Sequence, residues 1–189
     1  MKTFYLILIY VVLYLLLPIP FLKHQSTLTK IIFYWLFLNV LIGIYEITML
    51  LGRSHLCNNS YFWTQDFGIG ETLTANFWLQ GWSEYARFDP RYCQSNNYVH
   101  GIELTNVLVS FIPSLLVMKY ILTPKPIPPS ILKLTILFSL IQFIATFIYY
   151  VTGLSSYNYK YWIYAIFDLP WLIMPLITII WVLQIKITI

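Results

Sequence analysis

Charged side chains are scarce in this sequence. Of its 189 residues, 10% are Asp, Glu, Lys or Arg, and only seven are acidic. Soluble globular chains carry about 25% charged residues. Hydrophobic residues make up 59% of the chain and aromatic residues 19%, which excludes an ordinary soluble domain. The composition instead predicts an integral membrane protein.

Other absences narrow the class of protein further. The net charge of +4 reflects the small number of acids, because the chain has no run of basic residues of the kind that binds nucleic acid. We therefore expect no nucleic-acid partner. No internal repeat or flexible linker divides the chain, so residues 1–189 are expected to form a single polytopic membrane domain.

Five apolar stretches are long enough to cross a hydrocarbon core, which takes about 20 helical residues. They cover residues 3–22, 30–52, 101–122, 130–152 and 161–185. A signal peptide is the alternative for the first stretch, but Pro18, Pro20 and Phe21 offer no small-residue cleavage site. Pro170 and Pro175 lie inside the last stretch, where we expect them to kink the helix and open space beside it.

Residues 53–100 form a long hydrophilic segment that is rich in Trp, Tyr and Phe. Such residues favour the boundary between membrane and water. Within the segment, apolar residues recur near helical spacing, and the polar residues between them are Glu71, Asn76, Gln80, Glu84 and Arg87. The apolar set is Leu73, Phe77, Trp78, Trp82 and Tyr85. We expect an amphipathic helix on the bilayer surface or over a cavity mouth, with an aromatic belt that has no site as the alternative.

Basic residues indicate an orientation for the five spans. Six lysines crowd into short links on one side: Lys23, Lys30, Lys119, Lys125, Lys133 and Lys186. The positive-inside rule then places the C-terminus in the cytosol and the long segment in a lumen. There Cys57 and Cys93 could pair, although their spacing does not fix a disulfide. Asn58 begins an N-glycosylation pattern. His55 lacks a second ligand pair, so no metal site is expected.

Three carboxyl groups fall inside the apolar spans. Glu46 lies in the second span, Glu103 near the start of the third and Asp168 in the fifth. An ionisable residue at a span's centre costs about 2.5–3.5 kcal/mol on insertion scales, so each is expected to face a cavity or a partner. A structural hydrogen bond between helices is the alternative. Burial without a cationic partner favours the protonated form of at least one of them.

Aromatic and neutral hydrogen-bonding residues accompany these acids. They are Asn106, one turn after Glu103; Gln142, Tyr149 and Tyr150 in the fourth span; and Trp171, three residues after Asp168. A protonated carboxyl could add a proton to a carbon–carbon double bond while aromatic faces stabilise the cation and a second carboxylate removes a neighbouring proton. Such a site would isomerise an apolar alkene without a cofactor. Aromatic packing alone is the alternative.

A motif runs from Trp82 to Glu103. It consists of Trp82, Glu84, Tyr85, Ala86, Asp89, Arg91, Tyr92 and, after ten intervening residues, Glu103. This motif resembles the signature of the emopamil-binding protein family, which includes sterol isomerases that move a double bond from position eight to position seven and which belongs to the EXPERA group. The resemblance continues through Gln142 and Tyr149 to Asp168, Trp171 and Pro175, and the similar region spans about residues 30–185.

The resemblance implies an all-α membrane protein of the endoplasmic reticulum with five transmembrane helices that enclose an apolar, sterol-shaped cavity, and with the amphipathic, aromatic-rich loop after the second span. By position, it makes Glu103 the central acid, Glu46 the second-span acid and Trp171 the residue that faces the carbocation. With Asp168, these form the expected catalytic set. Expected substrate contacts are Asn106, Gln142, Tyr149, Tyr150, His100, Tyr85, Asp89 and Arg91, the last two at the cavity mouth.

The chain departs from the isomerase pattern at three positions. Ile42 stands where the isomerases have a His one turn before the second-span acid. Asn106 replaces their Thr, and Asp168 replaces their Asn. His100, three residues before Glu103 on the same helix face, is a candidate substitute for the missing imidazole. An interfacial His is the alternative.

These patterns favour an isomerase of sterols or related isoprenoids, with Glu103 and either Glu46 or Asp168 as acid and base. One alternative is a non-catalytic protein that binds sterols or cationic amphiphiles. Others are an acid-initiated terpenoid cyclase and a structural or trafficking protein of the same fold. No cofactor is expected. The expected partners are a sterol or other isoprenoid lipid, cationic amphiphilic ligands and, for a homodimer, a second copy of the chain.

Overall fold

The computed structural model describes residues 2–56, 65–93, 97–123, 125–156 and 162–188. These residues form α-helices joined by short 3-10 turns and one π-helical turn, and none of them forms a strand. The α-helices are α1 Thr3–Leu16, α2 Thr27–Leu51, α3 Ala75–Phe88, α4 Asn97–Asn106, α5 Ile112–Ile121, α6 Pro129–Ser156 and α7 Trp162–Thr188.

Five helical stretches within the described ranges are long and apolar enough to cross a membrane. They are Thr3–Leu22, Thr27–Leu51, Tyr98–Ile121, Pro129–Gly153 and Asp168–Ile185. The prediction of five apolar helical spans is therefore confirmed. Length and composition give the chain the pattern of an all-α, multi-pass membrane protein.

The first span does not stay α-helical to its end. α1 stops at Leu16, and Ile19–Leu22 form a 3-10 turn. Pro18 has no N–H to donate and its ring clashes with the carbonyl one turn earlier. The same is true of Pro20, so the chain tightens into a 3-10 turn.

The third span is interrupted near its middle. α4 is followed by a π-helical turn, Val107–Phe111, and then by α5. Pro113 cannot donate the hydrogen bond that an α-helix would direct to the carbonyl of Val109, and a π turn relieves such a local mismatch. α4 also begins at Asn97 rather than at 101, which moves Glu103 into the second turn of its helix.

The chain divides into two compact units. Unit 1 combines Met1–Pro20 with Ile44–Leu104, and unit 2 combines Phe21–Gly43 with Thr105–Ile189. Two of the three boundaries fall within α-helices, since Gly43 belongs to α2 and Leu104 to α4. The third falls within the 3-10 turn Ile19–Leu22.

In unit 1, α1 packs against the segment that leads into α3. The backbone N–H and the hydroxyl of Thr3 both donate to the carbonyl of Gln65, at 3.2 and 3.1 Å. Further along α1, the hydroxyls of Tyr10 and Thr72 are hydrogen-bonded at 2.5 Å. Phe77 meets an apolar cluster that includes buried Leu6. These contacts tie the first span to the start of the aromatic-rich segment.

α3 begins at Ala75 because Thr74 caps it. The Thr74 hydroxyl accepts a hydrogen bond from the N–H of Phe77 at 3.4 Å, which satisfies one of the free donors at the helix start. Leu73 was predicted to share the apolar face of this helix, but it lies before the cap and is 82% exposed. Glu84, predicted on the polar face, is instead buried.

The cysteine of unit 1 that follows α3 is oxidised. Cys93 is disulfide-bonded. Cys57, the only other cysteine of the chain, lies outside the described residues, and so does the glycosylation pattern that begins at Asn58.

Unit 2 has its own apolar core, built from α2, α5, α6 and α7. Its buried residues are Leu22, Ile32, Phe33, Trp35, Leu36, Val117, Ile121, Leu132, Trp181 and Val182. The indole N–H of Trp181 donates to the hydroxyl of Thr29 at 3.2 Å. That bond links the last span to the start of α2 across the core. α7 continues through Pro170 and Pro175.

Candidate functional site

Two carboxyl groups meet in the interior of unit 1. Glu46, near the end of α2, and Glu103, on α4, lie within side-chain hydrogen-bonding range of each other. Both residues are buried, with 4% and 6% of their surface exposed. Two ionised carboxylates at this separation repel each other strongly. A hydrogen bond between them therefore requires that the pair shares a proton.

The hydroxyl group of Tyr92 is the third polar group of this site. Its hydroxyl donates to Oε1 of Glu103, and the side chain is 2% exposed. A buried hydroxyl needs a partner, and the carboxyl group of Glu103 supplies it. Glu103 thus contacts a phenol on one side and the carboxyl group of Glu46 on the other.

A buried ion pair orders the turn that carries Tyr92. Nε of Arg91 lies 2.9 and 3.0 Å from the two carboxylate oxygens of Asp89, and Nη2 lies 2.6 Å from Oδ2. The backbone N–H of Arg91 also donates to Oδ1 of Asp89, at 3.1 Å. Because both charges are buried, this two-pronged pairing compensates their desolvation.

The same pair fixes where Tyr92 points. The N–H of Tyr92 donates to the carbonyl of Asp89 at 3.1 Å, which closes the 3-10 turn Pro90–Tyr92. In this structure Asp89 and Arg91 hold each other and the turn that presents the phenol. A direct contact with substrate at the cavity mouth stays a prediction for both residues.

Four aromatic rings form a continuous cluster beside the acid pair. Trp82 stacks on Tyr45 with ring centroids 4.7 Å apart. Trp82 also lies 5.3 Å from both Tyr85 and Tyr92, and these two tyrosines are 5.3 Å from each other. We call these four residues the aromatic cluster. Since Tyr92 donates to Glu103, the cluster adjoins that carboxyl group, and Tyr45 joins the cluster to the turn of α2 that carries Glu46.

His100 belongs to the same neighbourhood. Its ring lies 6.2 Å from the ring of Tyr92, and the residue is buried. It precedes Glu103 by three residues on α4, so the two side chains share a helix face. Its role as a substitute for the missing imidazole stays a prediction.

The other predicted site residues belong to unit 2. There Trp171 packs edge-on against Trp35, with ring centroids 5.3 Å apart. Asp168 lies close enough to Tyr150 for an electrostatic interaction. Tyr149 is buried on α6. The structure thus gives Trp171 a packing partner and Asp168 a polar neighbour within unit 2.

A polar cluster lies in the core of unit 2. Nε2 of Gln142 donates to Oδ1 of Asn39 at 3.1 Å and to Oγ of Ser110 at 2.8 Å. All three residues are buried. Asn106, also buried, has an Oδ1 atom with no hydrogen-bond partner among the residues that the structure describes. The predicted substrate residue Gln142 is therefore part of a hydrogen-bonded set.

Sequence reasoning missed several members of these groups. Tyr92 stood in the motif but received no role, and Tyr45 was overlooked although it is adjacent to Glu46. Asn39 was overlooked as well, although a polar side chain inside an apolar span is a signal of an interhelical contact. Ser110 gave a weaker signal, because a serine hydroxyl is readily satisfied by its own helix.

In the described part of the chain, no three His, Cys, Asp or Glu side chains converge as metal ligands would.

Comparisons with known proteins return no relative: no family model, no curated protein and no solved structure matches the chain significantly.

Proposed function

We propose that this chain is an isomerase that moves a carbon–carbon double bond in a sterol or related isoprenoid within the membrane, with the endoplasmic reticulum as its location. The observation that carries the proposal is the buried pair Glu46 and Glu103, whose carboxyl groups lie within hydrogen-bonding range of each other inside apolar spans. A proton held in this way is available to an alkene, because water does not compete for it.

The reaction needs only one donor and one acceptor of protons. The protonated carboxyl of Glu46 transfers its proton to one alkene carbon, and the π electrons form the new C–H bond. A carbocation remains at the other carbon. Glu103 removes a proton from a neighbouring carbon, and the electrons of that C–H bond form the shifted double bond. The Tyr92 hydroxyl favours this role, since a hydrogen-bond donor stabilises the ionised form of Glu103.

The pair also resets itself. After the double bond has moved, Glu103 carries the proton and Glu46 is ionised. Transfer across their shared hydrogen bond returns the proton to Glu46. Atoms and electrons balance without any cofactor, because the substrate gains one proton and loses another.

The aromatic cluster suits the cationic intermediate. A cation over an aromatic face gains about 0.5–2 kcal/mol, more when water is excluded. Trp82 stacks on Tyr45 and lies 5.3 Å from Tyr92, which donates to Glu103, so unit 1 provides aromatic rings next to the proposed base. Trp171 as the residue facing the carbocation, and Asp168 as a further acid, belong to the proposal through the family resemblance.

Yeast that lacks its own sterol isomerase provides the test. Expression of this chain is expected to convert accumulated eight-ene sterols to seven-ene sterols, as measured by gas chromatography with mass spectrometry. Glu46→Gln and Glu103→Gln are expected to abolish the conversion, because each removes one half of the proton relay. Glu71→Gln is the matched control, since this carboxyl group is exposed and serves only a local cap in the described structure.

Eight-ene sterols that persist in cells with normal amounts of the wild-type protein would eliminate this reaction. Full activity in Glu103→Gln would eliminate the acid pair as its machinery.

The same geometry favours a second candidate, a non-catalytic protein that binds cationic amphiphiles or sterols. A carboxyl pair bordered by aromatic rings is also a site for an ammonium group. Binding of a hydrophobic tertiary amine, lost in Glu103→Gln, together with unchanged sterols in the yeast assay, would select the binder.

A further inference from the structure

A small cavity is lined by residues of unit 2, and none of these residues is assigned to the proton relay. Its volume is about 20 Å³. A bound water occupies roughly 10–15 Å³ on this measure, whereas sites for drug-sized ligands reach about 300–1,000 Å³. The cavity therefore accepts one water-sized group and not the ring system of a sterol.

Polar side chains from several helices converge on this cavity. Gln142 of α6, Asn39 of α2 and Ser110 of the π-helical turn line it and are hydrogen-bonded to one another. A π turn inserts an extra residue into a helix and is frequent at functional sites. Here it carries one of the polar groups that face the cavity.

Two other helices complete the lining. Thr135 and Ser139 precede Gln142 on α6 at positions i, i+4 and i+7, so the three share one face. Ser114 of α5 and Thr178 of α7 lie opposite in the same lining and are almost fully buried. Such a set is costly in an apolar span unless its polar atoms find partners.

The hydrogen bonds within the lining determine which donor and acceptor groups remain available to a ligand. Both N–H groups of the Gln142 amide are used, by Asn39 and Ser110. The hydroxyls of Thr135 and Thr178 donate to their own helices, at 2.7 and 2.8 Å. Each hydroxyl oxygen keeps lone pairs that can accept. The lining thus calls for a ligand with an O–H donor.

The absence of charged side chains among the described lining residues excludes an ion as the ligand. None of the residues described as lining the cavity is ionisable, and an unpaired ion in such a medium costs many kcal/mol. Lone pairs directed at the cavity also repel an anion.

We propose that this cavity is a binding site for a single neutral hydroxyl group, supplied by water or by the hydroxyl of a membrane alcohol such as a sterol. The group donates to the oxygens of Thr135 or Thr178 and accepts from the serine hydroxyls. The site is argued from unit 2 alone and does not depend on the proton relay of Glu46 and Glu103, although Gln142 is also an expected substrate contact.

X-ray hydroxyl-radical labelling tests the site on the full chain in lipid nanodiscs. Hydroxyl radicals formed by radiolysis of a bound water oxidise the side chains beside it, whereas an alcohol that displaces this water protects them. Trp35 lines the cavity, whereas Trp181 does not and is as deeply buried in the same unit. We expect Trp35 to be oxidised several-fold faster than Trp181. Equal rates would overturn the proposal.

Lipid composition then identifies the source of the hydroxyl. Nanodiscs are made without sterol, with cholesterol, and with its 3-deoxy analogue. Labelling of Trp35 that changes with cholesterol, but not with the deoxy analogue, assigns the site to an alcohol. Labelling that is the same in all three assigns it to water.

A variant provides an independent check. Ser139→Val replaces a hydroxyl that faces the cavity by methyl groups and fills the space of one water. It is expected to lower Trp35 labelling to the level of Trp181. Thr152→Val is the control, because this residue lies on the same helix outside the cavity lining. Unchanged Trp35 labelling in a folded Ser139→Val protein would overturn the assignment of the site.

Discussion

Trp82 donates its indole N–H to the backbone carbonyl of Tyr45, 2.9 Å away, while the two rings stack with centroids 4.7 Å apart. One side chain of α3 thus holds both the backbone and the side chain of the residue before Glu46. Since Glu46 must face Glu103 for the two to share a proton, this contact positions the proposed acid.

Trp82→Phe is expected to lower the stability of unit 1 by about 1 kcal/mol, the usual net contribution of a hydrogen bond. The phenyl ring keeps part of the stacking. The shift in thermal unfolding of the purified protein in detergent measures the loss, and the yeast assay measures the loss of isomerisation.

Trp78→Phe is the matched control for that change. Trp78 lies on the same helix and contacts Tyr45 with ring centroids 5.6 Å apart, but its N–H has no partner among the described residues. Equal losses in the two variants would contradict a specific role for the indole hydrogen bond of Trp82.

Tyr92→Phe tests the hydrogen bond to Glu103. A hydrogen bond to a charged group contributes about 1.5–3 kcal/mol, so the single variant should be clearly less stable. In Glu103→Gln the same change should cost less. The double-mutant cycle is therefore expected to give a coupling free energy of about 1 kcal/mol or more, measured by unfolding. Tyr10→Phe, whose hydroxyl is bonded to Thr72 in the same unit, should show no comparable coupling to Glu103→Gln.

The spans were predictable because hydropathy and length decide them locally. Their interruptions were not predicted, although Pro18 and Pro113 stand in the sequence. A proline shows that a backbone hydrogen bond is lost, but not which local structure the chain then adopts. Near Pro18 it is a 3-10 turn, near Pro113 a π turn, and at Pro170 a continuous helix. That outcome depends on neighbouring helices.

The acids themselves were predictable, but their pairing was not. Glu46 and Glu103 stood out as carboxyl groups in apolar spans, and the cost of burying them indicated a partner. The partner could have been any polar group on another helix. The interpretation of Glu84 as a surface residue was wrong. The spacing of residues along α3 shows which helix face Glu84 lies on, but not whether other residues pack over that face.

Arg91→Ala is expected to destabilise the protein by about 3–5 kcal/mol, because it leaves the Asp89 carboxylate buried without its partner. Arg91→Lys should lie between the wild type and Arg91→Ala, since lysine keeps the charge but not the two-pronged geometry. The combined change Asp89→Asn with Arg91→Gln removes both charges and should cost less than the two single changes together. Denaturant unfolding measures the wild type, the four single variants and the combined variant. Additive losses would contradict a coupled pair.

Gly43→Ala and Gly101→Ala are expected to differ in their effect on the melting temperature, although both glycines lie in α-helices. A Cβ atom at Gly43 would lie 3.0 Å from Cβ and Cδ2 of Phe111, whereas one at Gly101 would meet nothing within 4 Å. Alanine favours a helix by up to about 1 kcal/mol over glycine. Gly101→Ala should therefore stabilise the protein, while in Gly43→Ala the close approach of two helices offsets that gain. A gain in melting temperature for both variants would contradict the close contact.

The disulfide bond of Cys93 predicts that the segment after α3 lies in an oxidising compartment. A structural disulfide forms in an oxidising space, which fits the luminal side expected from the lysine distribution. In sealed microsomes denatured without reductant, Cys93 should resist alkylation by a maleimide reagent, and it should react once the disulfide is reduced. Cys93→Ser is expected to cost about 2–5 kcal/mol in stability, whereas Ser54→Ala, at an exposed site of the same unit, should leave stability nearly unchanged. Alkylation of Cys93 before reduction would contradict the disulfide bond and remove the support that the bond gives to a luminal position.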